Sequence, residues 1–182
     1  MSRLVPVLLL SSLLLAGCAR SVPPARSAEE ARTRVAAFLD APDAGPADLA
    51  AIGPEAVPAL QAELLNPAAP EARRLAAARG LATLPGGAGL AALGEAVASP
   101  RLSPALRDAV AEELGSHDRD EAVARLEPLL GAPDPSVRAA AARGLGRAGG
   151  AAARKSLEER LEREDDPQVR ERLQASLAQA QP

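Results

Sequence analysis

The feature that most constrains this chain is a motif that returns every 31–33 residues. Its first marker is a leucine, found at Leu60, Leu93, Leu126 and Leu157. A second marker is an arginine, found at Arg74, Arg107, Arg138 and Arg170. A proline lies shortly before each arginine, at Pro70, Pro104, Pro135 and Pro167. Because two independent markers give the same period, the sequence predicts an array of similar units.

Each unit has the composition and spacing of two α-helices. The 182 residues include 44 Ala and 28 Leu, which are strong helix formers, whereas residues that favour strands are scarce. In the third unit, apolar residues return at helical spacing in two runs, Val123, Leu126, Leu129 and Leu130, then Val137, Ala140, Ala141 and Leu145. Asp134 and Pro135 suit the N-cap and first turn of the second helix. The sequence therefore predicts an all-α protein of antiparallel helix pairs, each burying its apolar face on the next pair.

The third unit resembles a HEAT repeat. Residues 126–146 follow the pattern L-x-x-L-L-x-x-P-D-P-x-V-R-x-A-A-A-x-G-L-G, which is similar to the short bacterial HEAT repeats related to those of phycobilisome lyases. The resemblance covers about residues 46–182. It implies a right-handed α-solenoid with four repeats, at about 54–85, 86–116, 117–149 and 150–182. We interpret residues 28–53 as a degenerate N-terminal repeat that caps the array.

The repeated arginines have two interpretations. The resemblance implies that they form a structural polar ladder between repeats, made of Arg74, Arg107, Arg138 and Arg170. Alternatively, the second helices line the concave face of such solenoids and present a groove to a ligand. The outward positions about one turn further on are Arg79, Glu112, Arg143 and Gln174. Charges of both signs with alanine between them favour a peptide or protein partner over a polyanion.

The first eighteen residues have the pattern of a bacterial export signal. Arg3 precedes an apolar run over residues 4–16, LVPVLLLSSLLLA. This run is too short for a transmembrane helix but has the length of a secretory signal core. The string that follows resembles the lipobox of bacterial lipoproteins and consists of Leu15, Ala16, Gly17 and Cys18.

The lipobox resemblance implies a processed and lipidated protein. The signal peptide 1–17 would be removed, diacylglycerol would be attached to the Cys18 thiol, and an acyl chain such as palmitate would follow on the new amine in many bacteria. Residues 18–27 would form the lipidated cysteine and a flexible tether that spans roughly 30 Å at most. Ala19 directly after Cys18 favours the outer membrane if the source has two membranes.

Patterns for catalysis or metal binding are weak. A single Cys and a single His exclude an intramolecular disulfide and multi-Cys or multi-His metal centres. His117 follows Ser116, but adjacent residues rarely form a nucleophile–base pair, and no oxyanion-hole motif follows. The acidic residues in 118–120 and 164–166 lack the Ca²⁺-loop template, so we interpret them as helix caps and solvated turns. The glycine-rich stretch 86–89 has no strand before it and no Lys-Ser/Thr after it, which excludes a phosphate loop.

Together these patterns favour a binding protein over an enzyme. The net charge is −3 and aromatic residues make up 1% of the chain, which disfavours nucleic acid as a partner. We predict a monomeric lipoprotein without a cofactor, anchored through Cys18, whose solenoid is a scaffold or assembly factor for another envelope protein or peptide. One alternative is a structural lipoprotein that binds a cell-wall polymer. A less favoured one is an enzyme, either hydrolytic or related to the phycobilisome lyases, although no bilin-handling residues are visible.

Overall fold

The structure, a computed structural model, describes residues 24–25, 27–41 and 44–180. The predicted signal peptide 1–17, the lipidation site Cys18 and the first part of the tether lie outside these residues. The described part contains ten α-helices, one 3₁₀ helix and no strand. The α-helices are α1 (Ala28–Asp40), α2 (Pro46–Ala50), α3 (Ala56–Leu64), α4 (Glu71–Thr83), α5 (Ala88–Ala98), α6 (Pro104–Gly115), α7 (Arg119–Leu126), α8 (Pro135–Ala148), α9 (Gly150–Leu161) and α10 (Pro167–Gln179).

The helices form two layers. The first helices of the pairs, α1, α3, α5, α7 and α9, contact one another in chain order. The second helices, α2, α4, α6, α8 and α10, do the same. Each pair therefore packs on the pairs next to it, and the predicted all-α solenoid of helix pairs is confirmed.

The leucines that mark the repeat form the spine of the core. Leu60, Leu93, Leu126 and Leu157 are each 0% exposed. Burying a leucine side chain stabilises a fold by about 2 kcal/mol. Because these residues recur once per pair, the array has one continuous apolar interior instead of separate small cores.

Polar caps and prolines set where the second helices begin. Ser103, Asp134 and Asp166 are N-caps whose side-chain oxygens accept hydrogen bonds from backbone N–H groups of the first turn. A proline follows each cap. This arrangement satisfies donors that the helix itself leaves unpaired, and it fixes the register of the residues that follow.

The first helix of the third pair is shorter than the sequence pattern predicts. The apolar spacing predicts one helix through Leu129 and Leu130, but α7 ends at Leu126 and a 3₁₀ helix, Glu127–Gly131, follows it. Pro128 lies at the start of this segment and has no backbone N–H to continue the α-helix. Leu130 is nevertheless buried, so the change of helix type keeps this side chain in the core.

Glycines allow α6 and α8 to pack closely. A Cβ on Gly115 would lie 2.2 Å from the carbonyl oxygen of Gly144. A Cβ on Gly144 would in turn lie 2.6 Å from the carbonyl oxygen of Ala111. Any larger residue at these two positions would push the helices apart.

The last part of the predicted tether lies against the fold. The N–H of Ala25 donates a 2.8 Å hydrogen bond to the carbonyl of Ile52. Pro24 Cβ lies 3.1 Å from where a Cβ on Gly53 would be. The stretch between Cys18 and Pro24 can therefore span about 20 Å at most, less than the tether length expected from sequence.

None of the helices in the described residues is long and apolar enough to cross a membrane.

Candidate protein-binding face

The outer surface of α4, α6, α8 and α10 carries the predicted groove residues, and we call it the second-helix face. The ladder arginines lie in the first turns of the same helices. Which side of each helix faces outward follows from its buried apolar residues, which pack against the first-helix layer. The ladder arginines Arg74, Arg107, Arg138 and Arg170 all lie four residues after their cap.

The first two ladder arginines are buried among backbone carbonyls. Arg74 is 9% exposed and donates to the carbonyls of Leu64 (2.7 Å) and Arg101 (2.9 Å). Arg107 is 3% exposed and donates to the carbonyls of Val97 and Ser99, both at 2.9 Å. These guanidinium groups satisfy carbonyls at the ends of first helices and in the loops that follow. Their contacts tie elements of the solenoid together and leave them little surface for a ligand.

The third ladder arginine meets a buried carboxylate. Arg138 forms a two-pronged pair with Glu164, 2.8 Å at each oxygen, and Arg160 approaches the same carboxylate to 2.6 Å. Glu164 is 2% exposed, and the hydrogen bond from Arg138 is the main cause that lowers its pKa from 4.5 to about 2. The expectation of a solvated turn at residues 164–166 is therefore wrong for Glu164. Arg170 lies nearer the surface and donates to the Glu164 carbonyl at 2.8 Å.

Two of the predicted groove residues meet directly. Arg143 Nε lies 2.8 Å from Glu112 Oε1, and Arg143 Nη1 lies 3.8 Å from Asp108. Arg172 reaches the same Asp108 carboxylate at 3.4 Å. The Nε–H of Arg143 is inaccessible to solvent and finds no hydrogen-bond acceptor, since it is not aligned with the Glu112 oxygen. Burial is the main cause that raises the pKa of Asp108, and Arg172 and Arg143 partly oppose it.

Arg79 lies on the same face but is largely free of ion pairing. Its side chain is 71% exposed, and its Nε is 4.0 Å from Glu113 Oε2. Together with Glu112, Glu113 and Arg147, it lines a hollow of about 330 Å³. We call it the C-terminal hollow, because these three residues lie near the C-terminal ends of α6 and α8. Leu75, Ala78 and Ala109 supply its apolar lining. The hollow thus combines cations, carboxylates and apolar surface in one place.

Gln174 does not share the position of the other predicted groove residues. Arg79, Glu112 and Arg143 each lie nine residues after their N-cap. The equivalent residue of α10 is Ala175, and Gln174 precedes it by one. Gln174 is exposed, but the residue through which α10 joins the charged face is Arg172.

A second hollow of about 480 Å³ lies at the N-terminal ends of α6, α8 and α10, and we call it the N-terminal hollow. Asp108, Asp134, Asp166 and Arg172 supply its charged lining. Asp134 and Asp166 already accept backbone N–H groups of their own helices. Asp108 therefore links the two hollows, since its neighbour Arg143 also pairs with Glu112.

The residues considered for catalysis lie at the edge of this face. His117 Nε2 is 3.0 Å from Glu113 Oε1, and Ser116 donates to the Glu113 carbonyl at 2.8 Å. Asp118 caps α7 by accepting from the N–H of Glu121 at 3.0 Å. Among the described residues, no group of three or more His, Cys, Asp or Glu side chains is arranged to hold a metal ion.

Sequence reasoning missed four charged residues of this face, Asp108, Glu113, Arg147 and Arg172. Asp108 directly follows the predicted Arg107, and Glu113 directly follows the predicted Glu112. Asp108 lies four residues before Glu112, so a search one turn along the same helix face would have found it. No local signal identifies Arg172, because its importance depends on Asp108, 64 residues earlier.

Comparison with known proteins agrees with this architecture. The fold is an α-solenoid, and residues 90–178 match the family model for HEAT repeats. No curated protein gives a sequence match.

Two solved structures are similar in outline. One is the complex of CpcE and CpcF of phycocyanin lyase from Nostoc sp. PCC7120, with 23% identity, a TM-score of 0.49, and coverage of 82% of this chain and 99% of that chain. The other is an engineered protein, with 20% identity, a TM-score of 0.41, and coverage of 84% of this chain and 72% of that chain.

Proposed function

We propose that this protein is a lipid-anchored adaptor of the bacterial envelope and that its second-helix face binds a segment of another envelope protein. The lipobox-like string that ends at Cys18 supports the anchor. The repeat fold supports the binding role, because stacked helix pairs give extended surfaces for partners. Outer-membrane attachment, favoured by Ala19, is part of the same proposal.

The C-terminal hollow is the observation that carries the binding role. Arg79 is 71% exposed and has only a distant partner, and Arg147 is also exposed. Both lie beside the carboxylates Glu112 and Glu113 and beside the apolar side chain of Leu75. A peptide offers backbone groups, charges of both signs and small apolar side chains, which together match this lining.

A binding role also agrees with how the charges are held. Arg143 is 34% exposed and lies 2.8 Å from Glu112 and 3.8 Å from Asp108. Such exposed ion pairs contribute little to stability, so these charges can meet those of a partner at small cost to the fold. We propose binding without catalysis, since the His117 and Ser116 contacts are with Glu113 and not with each other.

Site-specific photo-crosslinking in intact cells tests the proposal. A benzophenone amino acid would replace Ser116 in the C-terminal hollow or, as the matched control, Ala151, which is exposed on α9. We expect one envelope protein to crosslink from position 116 and not from position 151. A Cys18→Ala copy would show reduced crosslinking, because the anchor holds the solenoid near its partner.

The outcomes separate the competing functions. Equal crosslinking from both positions, or none from position 116, would contradict the adaptor. Purified peptidoglycan tests the cell-wall alternative. This alternative would be favoured if both the parent protein and the variant with benzophenone at position 151 were retained on it and were released by salt. A hydrolase or lyase activity that the parent protein shows and that His117→Ala loses would favour an enzyme.

A further inference from the structure

Another hollow, of about 390 Å³, adjoins the C-terminal hollow across α4, and we call it the Phe38 hollow. Phe38 and Leu39 line it from α1, and Ala76, Arg79 and Thr83 line it from α4. Phe38 is the chain's one phenylalanine and is only partly buried. Binding sites for ligand groups are typically hollows of this kind, with apolar and aromatic walls and few polar groups.

Arg79 lies on the ridge of α4 that separates the two hollows. Leu75 and Ala78 line the C-terminal hollow. Ala76 and Thr83 line the Phe38 hollow, and Arg79 lines both. At about 3.6 residues per turn, position 79 falls between the two sets around the helix axis. Because the Arg79 side chain is 71% exposed, a segment that crosses α4 from one hollow to the other would contact it.

The carboxylates near the two hollows have partners within this chain. The pairs are Glu112 with Arg143 (2.8 Å), Glu113 with His117 (3.0 Å), Asp40 with Arg73, and Asp48 with the N–H of Gly45 (2.9 Å).

The two arginines of this surface are the charges left without a close partner. Arg79 Nε is 4.0 Å from Glu113, and Arg147 forms no ion pair with any described residue. Charges further away than about 8 Å are largely screened at physiological ionic strength. The nearby arginines, and not the chain's net charge of −3, therefore decide which ligand charge is favoured here, and they favour a carboxylate.

We propose that the Phe38 hollow selects the partner, by binding a large apolar side chain that lies next to an acidic residue in the partner's sequence. This inference rests on the proposed adaptor function and deepens it. The apolar side chain packs against Phe38 and Ala76, and the neighbouring carboxylate pairs with Arg79 on the ridge. The partner segment then continues into the C-terminal hollow.

Selection from a peptide library tests this preference on the full lipidated protein in detergent. The probe is a library of random peptides displayed on phage, and selections run in parallel on the parent protein, Arg79→Glu, Ala76→Leu and a control, Ala151→Leu. Ala76 is partly exposed inside the hollow, so a leucine there occupies space that the ligand needs. Ala151 is exposed on α9, away from both hollows.

We expect the parent and the control to enrich peptides in which leucine, isoleucine, methionine or phenylalanine stands next to an acidic residue. Arg79→Glu should keep the apolar residue and exchange the acidic one for lysine or arginine, since the charge on the ridge is reversed. Ala76→Leu should bind the parent's best peptide at least about tenfold more weakly. If circular dichroism shows that Ala76→Leu has lost helix, the exchange of charge in Arg79→Glu carries the test.

Peptides without the apolar and acidic pair on the parent, or the same acidic preference on Arg79→Glu, would overturn the inference. Crosslinking in cells separates it from the adaptor. A benzophenone amino acid in place of Thr83, which is exposed in the Phe38 hollow, should crosslink the same protein as position 116. A crosslink from position 116 without one from position 83 would overturn the Phe38 hollow and leave the adaptor intact. No crosslink from either position would contradict both.

Discussion

Helices α4 and α8 carry almost the same string of residues, RLAAARGL at 74–81 and RAAAARGL at 138–145, yet their side chains meet different partners. Arg74 donates to backbone carbonyls, whereas Arg138 is paired with the Glu164 carboxylate. The glycines differ as well. A Cβ on Gly80 would meet the side chain of Leu60 at 3.2 Å, but one on Gly144 would lie 2.6 Å from a backbone oxygen.

The difference separates what a repeat sequence determines from what its neighbours determine. The common string sets the helix and the direction of each side chain, although the caps differ, Pro70 in α4 and Asp134 in α8. The partners come from the adjoining pair, so the energetic role of a repeated residue changes along the array. Each prediction below changes α4 or α8 selectively, or one of their partners.

The largest effect is expected for Glu164→Gln. The folded pKa of Glu164 is about 2 against an ordinary value of 4.5. A lowered folded pKa stabilises the protein fully above the unfolded value and loses this contribution as pH falls from about 4.5 toward 2. We expect Glu164→Gln to lower the free energy of unfolding by about 3 kcal/mol at pH 7, and the difference from the parent to shrink through that acid range. Urea unfolding at several pH values measures it.

The matched control is Glu159→Gln on α9, the helix that directly precedes the segment carrying Glu164. Glu159 is 51% exposed and lies 3.8 Å from Lys155, so its loss should change the free energy of unfolding by less than about 0.5 kcal/mol. If Glu164→Gln behaved like this control, the Arg138 pair would not stabilise α8 in the way that its burial indicates.

A smaller effect is expected for alanine at the two equivalent glycines. Gly144→Ala forces α6 and α8 apart, and we expect a loss of about 2 kcal/mol, with a Tm lower by roughly 5 °C. Gly80→Ala meets a leucine side chain that can shift, and alanine favours the helix, so the expected change is within about 0.5 kcal/mol. Calorimetry of the two variants side by side makes the comparison, and equal losses would contradict the difference between the two helices.

The smallest stability effects are expected for the two outward arginines. Arg143→Ala removes contacts with Glu112 and Asp108 from a side chain that is 34% exposed, with an expected loss of about 0.5–1 kcal/mol. Arg79→Ala should change the free energy of unfolding by less than about 0.3 kcal/mol, since the Glu113 carboxylate is 4.0 Å from Arg79 Nε. A larger loss for Arg79→Ala would mean that this residue serves the fold and not a ligand.

Much of the fold could be predicted because the regularly spaced markers show where each helix pair lies in the sequence. The leucines spaced by 31–33 residues are all fully buried, and Asp134 caps α8 as its position predicts. What the pattern could not show was the interruption at Pro128 or the seating of Pro24 and Ala25 on the first pair. Both depend on local backbone hydrogen bonding that apolar spacing does not report.

The charged face was less predictable. The spacing located Arg79, Glu112 and Arg143 on one side of their helices. It misplaced the α10 residue by one position, because Gln174 lies four residues after Arg170, whereas the other three lie five residues after their arginines. The pairing of Glu164 with Arg138 had no local signal, since that arginine lies 26 residues earlier.

The most direct test of the adaptor is the crosslinking yield from position 116 in charge-reversed backgrounds. One background is Arg79→Glu with Arg147→Glu, both in the C-terminal hollow. The control is Lys155→Glu, a side chain 78% exposed on α9, where the same kind of reversal leaves the second-helix face unchanged. We predict that the partner's crosslink is lost in the first background and kept in the control. A crosslink that survives reversal of both hollow arginines would contradict the proposal that this face binds the partner.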